Sequence, residues 1–285
     1  MSFLDDKNLS KILSRNQHAD LINLSGSDIE NKKILITGSE GSLGQELIKR
    51  LSNNLDVQIL RTDIIGDVEF MDVTKISQVT KIVEKFSPDL IFHLAGAKHA
   101  PVGEVETKET FEINTIGTFN MLESIDEKTK FILASTCKAA NPEVVYGASK
   151  LIAERMVLNH GGSVARFFNV IDTAGNVFEI WSNIPEDEPI DVAAICERHF
   201  ISASEAVGLL IFSSISQPGR YAVNSSALIK INEVAERLFP NREKNIIAPR
   251  RGDRISEKFL ASSESIEEYL LNNTVIKVKS IHDYL

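Results

Sequence analysis

The chain of 285 residues is poor in cysteine, in tryptophan and in long apolar runs. Its two cysteines, Cys137 and Cys196, form neither a CxxC pair nor a disulfide framework, which is typical of proteins in a reducing compartment. No apolar stretch approaches the roughly 20 residues that a membrane-spanning helix needs. The first residues, MSFLDDKNLSKILSRNQ, contain acidic side chains and lack the apolar core of a secretory signal. These absences predict a cytoplasmic protein without a membrane span.

Basic residues are fewer than acidic ones: the chain has 31 Lys and Arg residues and 40 Asp and Glu residues, for a formal net charge of −9. A general nucleic-acid-binding surface is therefore not expected, whereas a local basic pocket for a phosphorylated small molecule stays open. Hydrophobic residues at 43% and charged residues at 25% are ordinary for a globular protein and argue against extensive disorder. No metal site is predicted.

From Lys33 onward, short apolar segments alternate with segments of helical periodicity. KILITG, VQIL, DLIFHLA, KFILAS and SVARFFNV are predicted strands, and the segments between them are predicted helices. Repeated β-α units with short apolar strands predict the α/β class with a doubly wound parallel sheet. After Val170 the rhythm loosens into an acidic, turn-rich segment, which indicates a smaller C-terminal lobe.

A glycine-rich loop connects the first predicted strand to the helix that follows it. ILITGSEGSLGQEL contains Gly38, Gly41 and Gly44, which permit a tight turn and close approach of a pyrophosphate to backbone N–H groups at a helix N-terminus. Asp63 follows the second strand, 19 residues after Gly44, near the spacing of an acid that holds the adenosine ribose hydroxyls. The alternatives are a packing turn that binds nothing and a solvated turn acid.

The agreement of strand, loop, helix and acid predicts a Rossmann-type sheet that binds a nicotinamide dinucleotide. Asp63 favours NAD, because a carboxylate there would repel the 2′-phosphate of NADP. NADP stays as the alternative, since Arg61 near the strand end is placed to receive that phosphate. We divide the chain into an N-terminal helical lead-in (1–30), an NAD(P)-binding Rossmann domain (31–170) and a smaller substrate-binding lobe (171–285) interleaved with the sheet.

Tyr146 and Lys150 have YxxxK spacing, which puts both side chains on one face of a helix. A lysine ammonium beside a tyrosine lowers the pKa of the phenol, so that the phenol exchanges a proton with a substrate hydroxyl as hydride moves to nicotinamide. YxxxK also occurs by chance. The motif gains weight here because it follows the FILAST strand, whose carboxyl end is expected at the same crevice as the glycine loop.

Several blocks in order resemble one family. ITGSEGSLGQEL resembles ITGAGGSIGSEL, PDLIFHLAGAKHAPVGE resembles PDIVFHAAALKHVPLME, STCKAANPEVVYGASK resembles STDKAANPINLYGATK, and RRGDRISEKFL resembles RPGEKLYEELL. These are motifs of the extended short-chain dehydrogenase/reductase superfamily, in its polysaccharide-biosynthesis branch of nucleotide-sugar epimerases and dehydratases. UDP-N-acetylglucosamine 4,6-dehydratases are the most similar members. The resemblance covers about Asn31 to Leu260, and with it we expect a nucleotide-sugar substrate and a homo-oligomer.

The resemblance implies roles for individual residues. The dinucleotide would be bound by Gly38, Ser39, Glu40, Gly41, Ser42, Leu43, Gly44, Asp63, Asp72, Val73, Ala95, Gly96, Ala97 and Asn114, together with Tyr146 and Lys150. Catalysis would involve Thr136, Cys137, Lys138, Tyr146 and Lys150. The substrate would contact Lys98, His99, Asn169, Arg198, Arg250 and Arg254, and the guanidinium fork of an arginine matches two phosphate oxygens. Surface salt bridges are the alternative for the arginines, and a structural role is the alternative for His99.

Cys137 departs from the family pattern. In the dehydratases, hydride leaves sugar C4 for NAD and tyrosine takes the O4 proton. The resemblance assigns removal of H5 and departure of the 6-hydroxyl to the aspartate-lysine pair of STDK, which is Cys137–Lys138 here. A thiol, with an ordinary pKa of about 8.5, is a poor acid for this step. Beside Lys138 it would instead ionise and act as a base, or it merely fills space at the strand end.

The sequence therefore favours NAD(P)-dependent 4-oxidation with 4,6-dehydration of a nucleotide sugar such as a UDP-N-acetylhexosamine, in surface polysaccharide precursor biosynthesis. Two alternatives depend on Cys137. A nucleotide-sugar 4-epimerase or ketosugar reductase on the same scaffold would use Tyr146 and Lys150 without an acid at position 137. A catalytically impaired dinucleotide-binding protein would keep only the glycine loop and its acid.

Overall fold

The structure is a computed structural model that describes residues 6–24, 27–54, 56–224 and 227–283. Among these residues, none of the helices combines the length and apolarity that crossing a bilayer requires. In chain order the strands are β1 (Lys33–Thr37), β2 (Gln58–Asp63), β3 (Glu69–Phe70), β4 (Leu90–His93), β5 (Lys130–Thr136), β6 (Ser163–Phe167), β7 (Asn169–Val170), β8 (Ile190–Val192), β9 (Glu197–Arg198), β10 (Phe200–Ile201), β11 (Gly219–Val223), β12 (Ile229–Lys230), β13 (Lys244–Ile246), β14 (Glu264–Leu270) and β15 (Val275–Ser280).

Helices lie between most of these strands. They are α1 (Asp6–Leu13), α2 (Ala19–Ile22), α3 (Ser42–Asn54), α4 (Ile76–Phe86), α5 (Ala100–Gly103), α6 (Thr107–Phe111), α7 (Gly117–Glu123), α8 (Val145–Asn159), α9 (Val177–Asn183), α10 (Ala203–Ile215) and α11 (Ile231–Leu238). A π-helical turn, Glu112–Ile116, joins α6 to α7, and a 3₁₀ turn, Cys137–Ala139, precedes α8.

The central sheet has the strand order β14-β15-β11-β6-β5-β4-β1-β2-β3. Seven strands, from β3 through β11, are parallel, and β15 and β14 extend the sheet in antiparallel pairing. The chain builds outward from β1 to β3 and then returns to β4 on the other side of β1. The carboxyl ends of β1 and β4 therefore border a crevice at the point where the strand order reverses. The predicted Rossmann-type doubly wound sheet is confirmed.

Both faces of the sheet are covered, which explains why the strands read as continuous apolar runs. Successive side chains of a strand point to opposite faces. In β1, Ile34 and Ile36 pack with α3 and α10, whereas Leu35 packs with α4, α7 and α8. β4 and β5 divide their apolar side chains in the same way. The two layers of helices hold the carboxyl ends of the parallel strands at one edge.

The predicted strand SVARFFNV is divided at Phe168. β6 stays in the central sheet, but β7 leaves it and pairs with β10 in a separate two-stranded sheet. At Phe168, where the chain leaves the central sheet, the Phe168 ring packs against the His199 ring, with the two centroids 4.9 Å apart. As a result Asn169 belongs to a different sheet from Thr136.

A second apolar core lies outside the central sheet. It joins Leu9 and Ile12 of α1 to Phe178 and Trp181 of α9 and to the strands and helix that follow. Segment 171–285 thus contributes both to this core and, through β11, β14 and β15, to the central sheet. The division into 1–30, 31–170 and 171–285 stays a prediction, and residues 1–5 of the lead-in lie outside the described residues.

A buried ion network connects α8 to the strands on one side of the sheet. The Glu154 carboxylate accepts hydrogen bonds from Arg166 (Nη2–Oε2, 2.6 Å), Arg220 (Nε–Oε2, 3.0 Å) and the Ser135 hydroxyl (2.6 Å). Arg166 also binds Glu264 (Nη1–Oε2, 2.7 Å). Burial opposes ionisation of Glu154, but the two guanidinium groups outweigh it and hold the pKa of that carboxyl below its ordinary value. Glu154 is therefore charged at neutral pH.

We predict that Glu154→Ala lowers the free energy of unfolding by about 3–5 kcal/mol, because it leaves two buried guanidinium groups without their shared carboxylate. Since the folded pKa is depressed, the stabilisation is present above the unfolded pKa of about 4.3 and is lost as pH falls through the folded value. Urea titration at pH 7 and at lower pH measures both effects. Glu233→Ala removes a solvent-exposed ion pair with Arg237 and serves as the control, with an expected change of about 1 kcal/mol or less. A similar loss in both variants would contradict the prediction.

Candidate active site

The loop from Gly38 to Gly44 lies between β1 and α3 at the sheet crevice. Gly38 has φ +67°, and a Cβ there would lie 2.6 Å from the backbone N of Ala95. A Cβ on Gly44, in the first turn of α3, would lie 2.6 Å from the Gly38 carbonyl oxygen. Glycine is therefore required at both positions. The loop places the N-terminus of α3 against the crevice, an arrangement that fits a dinucleotide pyrophosphate.

Two acids and one arginine lie at the carboxyl end of β2. The Asp63 carboxylate accepts hydrogen bonds from the backbone N–H of Glu40 (2.9 Å) and of Ile64 (2.7 Å). The Glu40 carboxylate forms an ion pair with Arg61 (Oε1–Nη2, 2.5 Å). Gly66, at φ +84°, lets the next turn approach Glu40, since a Cβ there would lie 2.7 Å from Glu40 Cγ. The charge of Arg61 is thus already paired.

The segment after β4 is held by polar side chains below it. The Thr37 hydroxyl accepts a hydrogen bond from the backbone N–H of Ala95 (3.1 Å) and is 2.8 Å from His93 Nδ1. Burial, followed by the nearby charge of Lys150, lowers the pKa of His93 to about 3, so this ring is neutral. Asn114, in the π-helical turn, accepts from the N–H of Ala97 (2.9 Å) and donates to its carbonyl oxygen (3.0 Å). Asn114 supports the crevice from behind.

Thr136, Tyr146 and Lys150 meet where β5 ends and α8 begins. A Cβ on Gly147 would lie 2.4 Å from the Lys138 carbonyl oxygen, so glycine lets α8 pack directly on the turn after β5. Lys150 Nζ donates to the Ala134 carbonyl oxygen (3.1 Å). Burial lowers the pKa of Lys150 to about 8, against the opposing charge of Glu154. Burial raises the pKa of Tyr146, and the charge of Lys138 and the Thr136 hydroxyl partly offset that rise.

Cys137 lies behind the cavity wall. Its side chain is fully buried, and Sγ donates to Glu257 Oε2 at 3.7 Å. Burial, followed by the negative charge of Glu257, raises the pKa of Cys137 to about 12. The adjacent Lys138 does not reverse this shift. The thiol is therefore neutral at physiological pH, which argues against its ionisation as a base.

Glu257 is a buried partner of the candidate site that the sequence did not single out. Its buried carboxylate forms an ion pair with Lys138 (Oε1–Nζ, 2.7 Å) and accepts from Asn169 Nδ2 (2.6 Å). Lys138 Nζ also donates to Asn169 Oδ1 (3.2 Å). Burial lowers the pKa of Lys138, but Glu257 outweighs burial and raises that pKa above its ordinary value. The motif RRGDRISEKFL contains Glu257, but only the fold brings it to Lys138, 119 positions away.

One cavity of about 1180 Å³ runs from the glycine loop to these side chains. Six of the predicted site residues do not line it: Ser39, Asn114, Cys137, Arg198, Arg250 and Arg254. The predicted residues that do line it are Gly38, Glu40, Gly41, Ser42, Leu43, Gly44, Asp63, Asp72, Val73, Ala95, Gly96, Ala97, Lys98, His99, Thr136, Lys138, Tyr146, Lys150 and Asn169. The residues predicted to bind the dinucleotide and those predicted for catalysis thus line the same space.

The three predicted phosphate-binding arginines have protein partners. Arg198 is buried and donates to the Arg254 carbonyl oxygen (2.6 Å), with Nε 3.5 Å from Glu257 Oε1. Arg250 is exposed and paired with Asp253 (3.0 Å). Arg254 is buried, with Nε 3.3 Å from Glu143 Oε2. Contact of any of them with a substrate stays a prediction.

Two cavity residues lie at the opposite side of the mouth. Lys98 is exposed and donates to the Ala174 carbonyl oxygen (3.2 Å). His99 is exposed as well, and partial burial, with Lys98 and Arg250 nearby, lowers the pKa of its imidazole. Both positions are open to a ligand.

Comparison with known proteins agrees with this geometry. Residues 56–279 match the family described as "Polysaccharide biosynthesis protein". The capsular polysaccharide biosynthesis protein CapD of Staphylococcus aureus is 28% identical over 91% of this chain and 48% of its own length. A UDP-N-acetylglucosamine 4,6-dehydratase (inverting) of Campylobacter jejuni is 27% identical, over 85% of this chain and 81% of that protein.

The crystal structure of Pen from Bacillus thuringiensis superposes with a TM-score of 0.73 at 20% identity, covering 88% of each chain, and shows the same fold. The chain spans about half the length of the first curated relatives it matches, since CapD and EpsC of Bacillus subtilis are covered over 48% and 42% of their lengths. The family match covers most of the chain. The chain belongs to the polysaccharide-biosynthesis branch of the short-chain dehydrogenase/reductase superfamily.

Proposed function

We propose that this chain oxidises a UDP-N-acetylhexosamine at C4 with NAD, eliminates water across C5 and C6, and then returns the hydride to C6 and a proton to C5. The net change is the loss of one water, with NAD regenerated, in the synthesis of surface polysaccharide precursors. One observation carries the proposal: a single cavity joins the glycine loop and Asp63 to Thr136, Tyr146 and Lys138. The similarity to a Campylobacter jejuni dehydratase over 85% of the chain supports the substrate class.

Different residues along the cavity are assigned to cofactor binding and to proton transfer. The loop from Gly38 to Gly44 binds the pyrophosphate of the cofactor, and Asp63 binds the adenosine ribose. The bound nicotinamide supplies the hydride acceptor. Tyr146 takes the proton of the C4 hydroxyl, and the buried Lys150, one turn later on the same face of α8, supplies positive charge.

Lys138 is the group that we assign to elimination. It lines the cavity, and Glu257 keeps it an ammonium, so it gives a proton to the departing 6-hydroxyl and takes up the C5 proton in exchange. Cys137 lies behind it with a neutral thiol. We therefore assign the thiol a packing role and not an acid–base role.

A second function, 4-epimerisation, is favoured by one specific observation. Among the described residues, the carboxylate that contacts Lys138 is Glu257, whose side chain is fully buried and already paired, so it is not available as an acid toward a substrate. An epimerase needs hydride transfer and the tyrosine proton but no acid for a departing hydroxyl. A chain that only binds the dinucleotide is the third reading of the same residues.

We predict that NAD binds at least about tenfold more tightly than NADP, a difference of about 1.4 kcal/mol. The 2′-phosphate of NADP would meet Asp63 and Glu40, while Arg61 is occupied by Glu40. Isothermal titration calorimetry with both cofactors measures this preference. Glu40→Gln removes the carboxylate that pairs with Arg61, so this variant is expected to show a smaller difference between the NAD and NADP affinities.

Glu69→Gln is the control, because it removes an exposed negative charge from β3, outside the cavity lining. It is expected to leave the ratio of affinities unchanged. Tighter binding of NADP than NAD by the unaltered chain would contradict the assignment, as would equal effects of Glu40→Gln and Glu69→Gln.

We predict that the chain converts UDP-N-acetylglucosamine, with NAD, into a product that is lighter by one water. Chromatography that separates C4 epimers, coupled to mass spectrometry, distinguishes the three functions. Loss of water supports the dehydratase, a separated isomer of equal mass supports the epimerase, and unchanged sugar with bound NAD supports the binding protein. Tyr146→Phe deletes only the transferable proton, so turnover is expected to fall about 10²–10⁴-fold while NAD affinity stays the same. Full activity of Tyr146→Phe would show that the catalytic assignment is wrong.

A further inference from the structure

Lys138 is the one cavity-lining ammonium whose partner is a carboxylate hidden behind the wall, within the part of the chain that the structure describes. The Lys138 side chain is 14% exposed, whereas the Glu257 side chain is fully buried. Glu257 therefore acts on a ligand through the cavity-lining residues that contact it, Lys138 and Asn169, and of these only Lys138 is charged. The pair joins the turn after β5 to the segment between β13 and β14, 119 positions apart in the chain.

The Glu257 carboxylate is fixed from several sides. Lys138 Nζ lies 2.7 Å from Oε1, and Asn169 Nδ2 donates to Oε2 at 2.6 Å. Arg198 Nε lies 3.5 Å from Oε1, and Cys137 Sγ donates to Oε2 at 3.7 Å. With these donors the carboxylate has little freedom to rotate, so it fixes the position of the Lys138 amine as well as its charge.

We propose that Glu257 is a positioning residue of the proposed reaction: its buried carboxylate holds the Lys138 amine as an ammonium at the cavity wall, next to Tyr146, where the sugar is transformed. The inference rests on the proposed function. It differs from a plain structural role, because a clamp that only ties two segments together would not need to be charged.

The charges around Lys138 determine what removal of Glu257 does. Burial disfavours the ammonium form, and the groups that face Lys138 are the Glu257 carboxylate, the Cys137 thiol and the Tyr146 phenol. Arg198 lies on the far side of Glu257 and adds positive charge. Without the carboxylate, burial and Arg198 remain, so the pKa of Lys138 falls. An activity that needs the ammonium is then lost at a lower pH than in the unaltered chain.

The experiment compares Glu257→Gln, which keeps shape and hydrogen bonds but removes the charge, with the unaltered chain. A carboxylate in contact with a buried amine shifts its pKa by about 1–3 units, and a loss of that size is expected for Lys138. NMR titration of protein carrying ¹³Cε-labelled lysine, with the signal assigned from Lys138→Met, reads the pKa directly. Lys150, with a pKa of about 8, also limits activity at alkaline pH, so the alkaline limb of kcat/KM for UDP-N-acetylglucosamine is expected to move to lower pH if the Lys138 pKa falls below that of Lys150. NAD affinity is expected to stay unchanged, because Glu257 does not line the cavity.

A second variant returns the charge from a neighbouring position. Because Cys137 Sγ is 3.7 Å from Glu257 Oε2, Cys137→Asp combined with Glu257→Gln puts a carboxylate back beside Lys138. The pKa of Lys138 and the alkaline limb are expected to recover toward their original values. Glu143→Gln, which removes an exposed carboxylate beside Arg254, is the matched control and is expected to leave the Lys138 pKa unchanged.

An unchanged Lys138 pKa in Glu257→Gln overturns the inference, and so does a stability loss that the double variant repairs without restoring the pKa. Should Glu257→Gln fail to fold, the double variant decides: a Lys138 pKa near that of the unaltered chain supports the inference, and a depressed one contradicts it. Failure of the proposed function is distinguishable, because it appears as absent turnover in the unaltered chain while the NMR titration still reports on Lys138.

Discussion

The ion pair between Glu154 and Arg166 fixes the helix on which the candidate catalytic residues depend. Tyr146, Lys150 and Glu154 follow one another at intervals of four residues along α8, so they share one face of the helix. Glu154 is bound to β6 through Arg166 and to β5 through Ser135. The Glu154–Arg166 ion pair therefore fixes the position of α8, and with it the positions of Tyr146 and Lys150 at the cavity.

Two lysines of the cavity, Lys150 and Lys138, have pKa values shifted in opposite directions, because, in the described ranges of the chain, one is buried without a carboxylate partner and the other is paired with one. Lys150 donates to a backbone carbonyl, and burial lowers its pKa to about 8. Lys138 is paired with a carboxylate, and its pKa lies above the ordinary value. The cavity is thus lined by one lysine that titrates near pH 8 and by one lysine that stays an ammonium well above that pH.

The sequence predicted those features that are encoded locally. The glycine loop, the apolar strands and the YxxxK spacing each occupy a few consecutive residues, and their geometry follows from chain stereochemistry. The surroundings of Cys137 could not be predicted. Burial in the folded chain raises the pKa of its thiol, and so does the charge of Glu257, which lies 120 positions away in the sequence. The three arginines illustrate the same limit: a motif identifies their charge, but only the fold shows that Asp253, Glu143 and Glu257 already lie next to them.

The antiparallel strands β14 and β15 make the sheet and the site inseparable. A chain ending after β11 would retain the glycine loop, the parallel strands and YxxxK, which are the sequence features of dinucleotide binding described above. It would nevertheless contain two buried guanidinium groups, Arg166 and Arg220, with Glu154 as their one shared carboxylate, since Glu264 and Asp283 come later in the chain. Lys138 would also lose Glu257. The segment after β11 therefore supplies the carboxylates that pair with buried cations of the parallel sheet and of the candidate site.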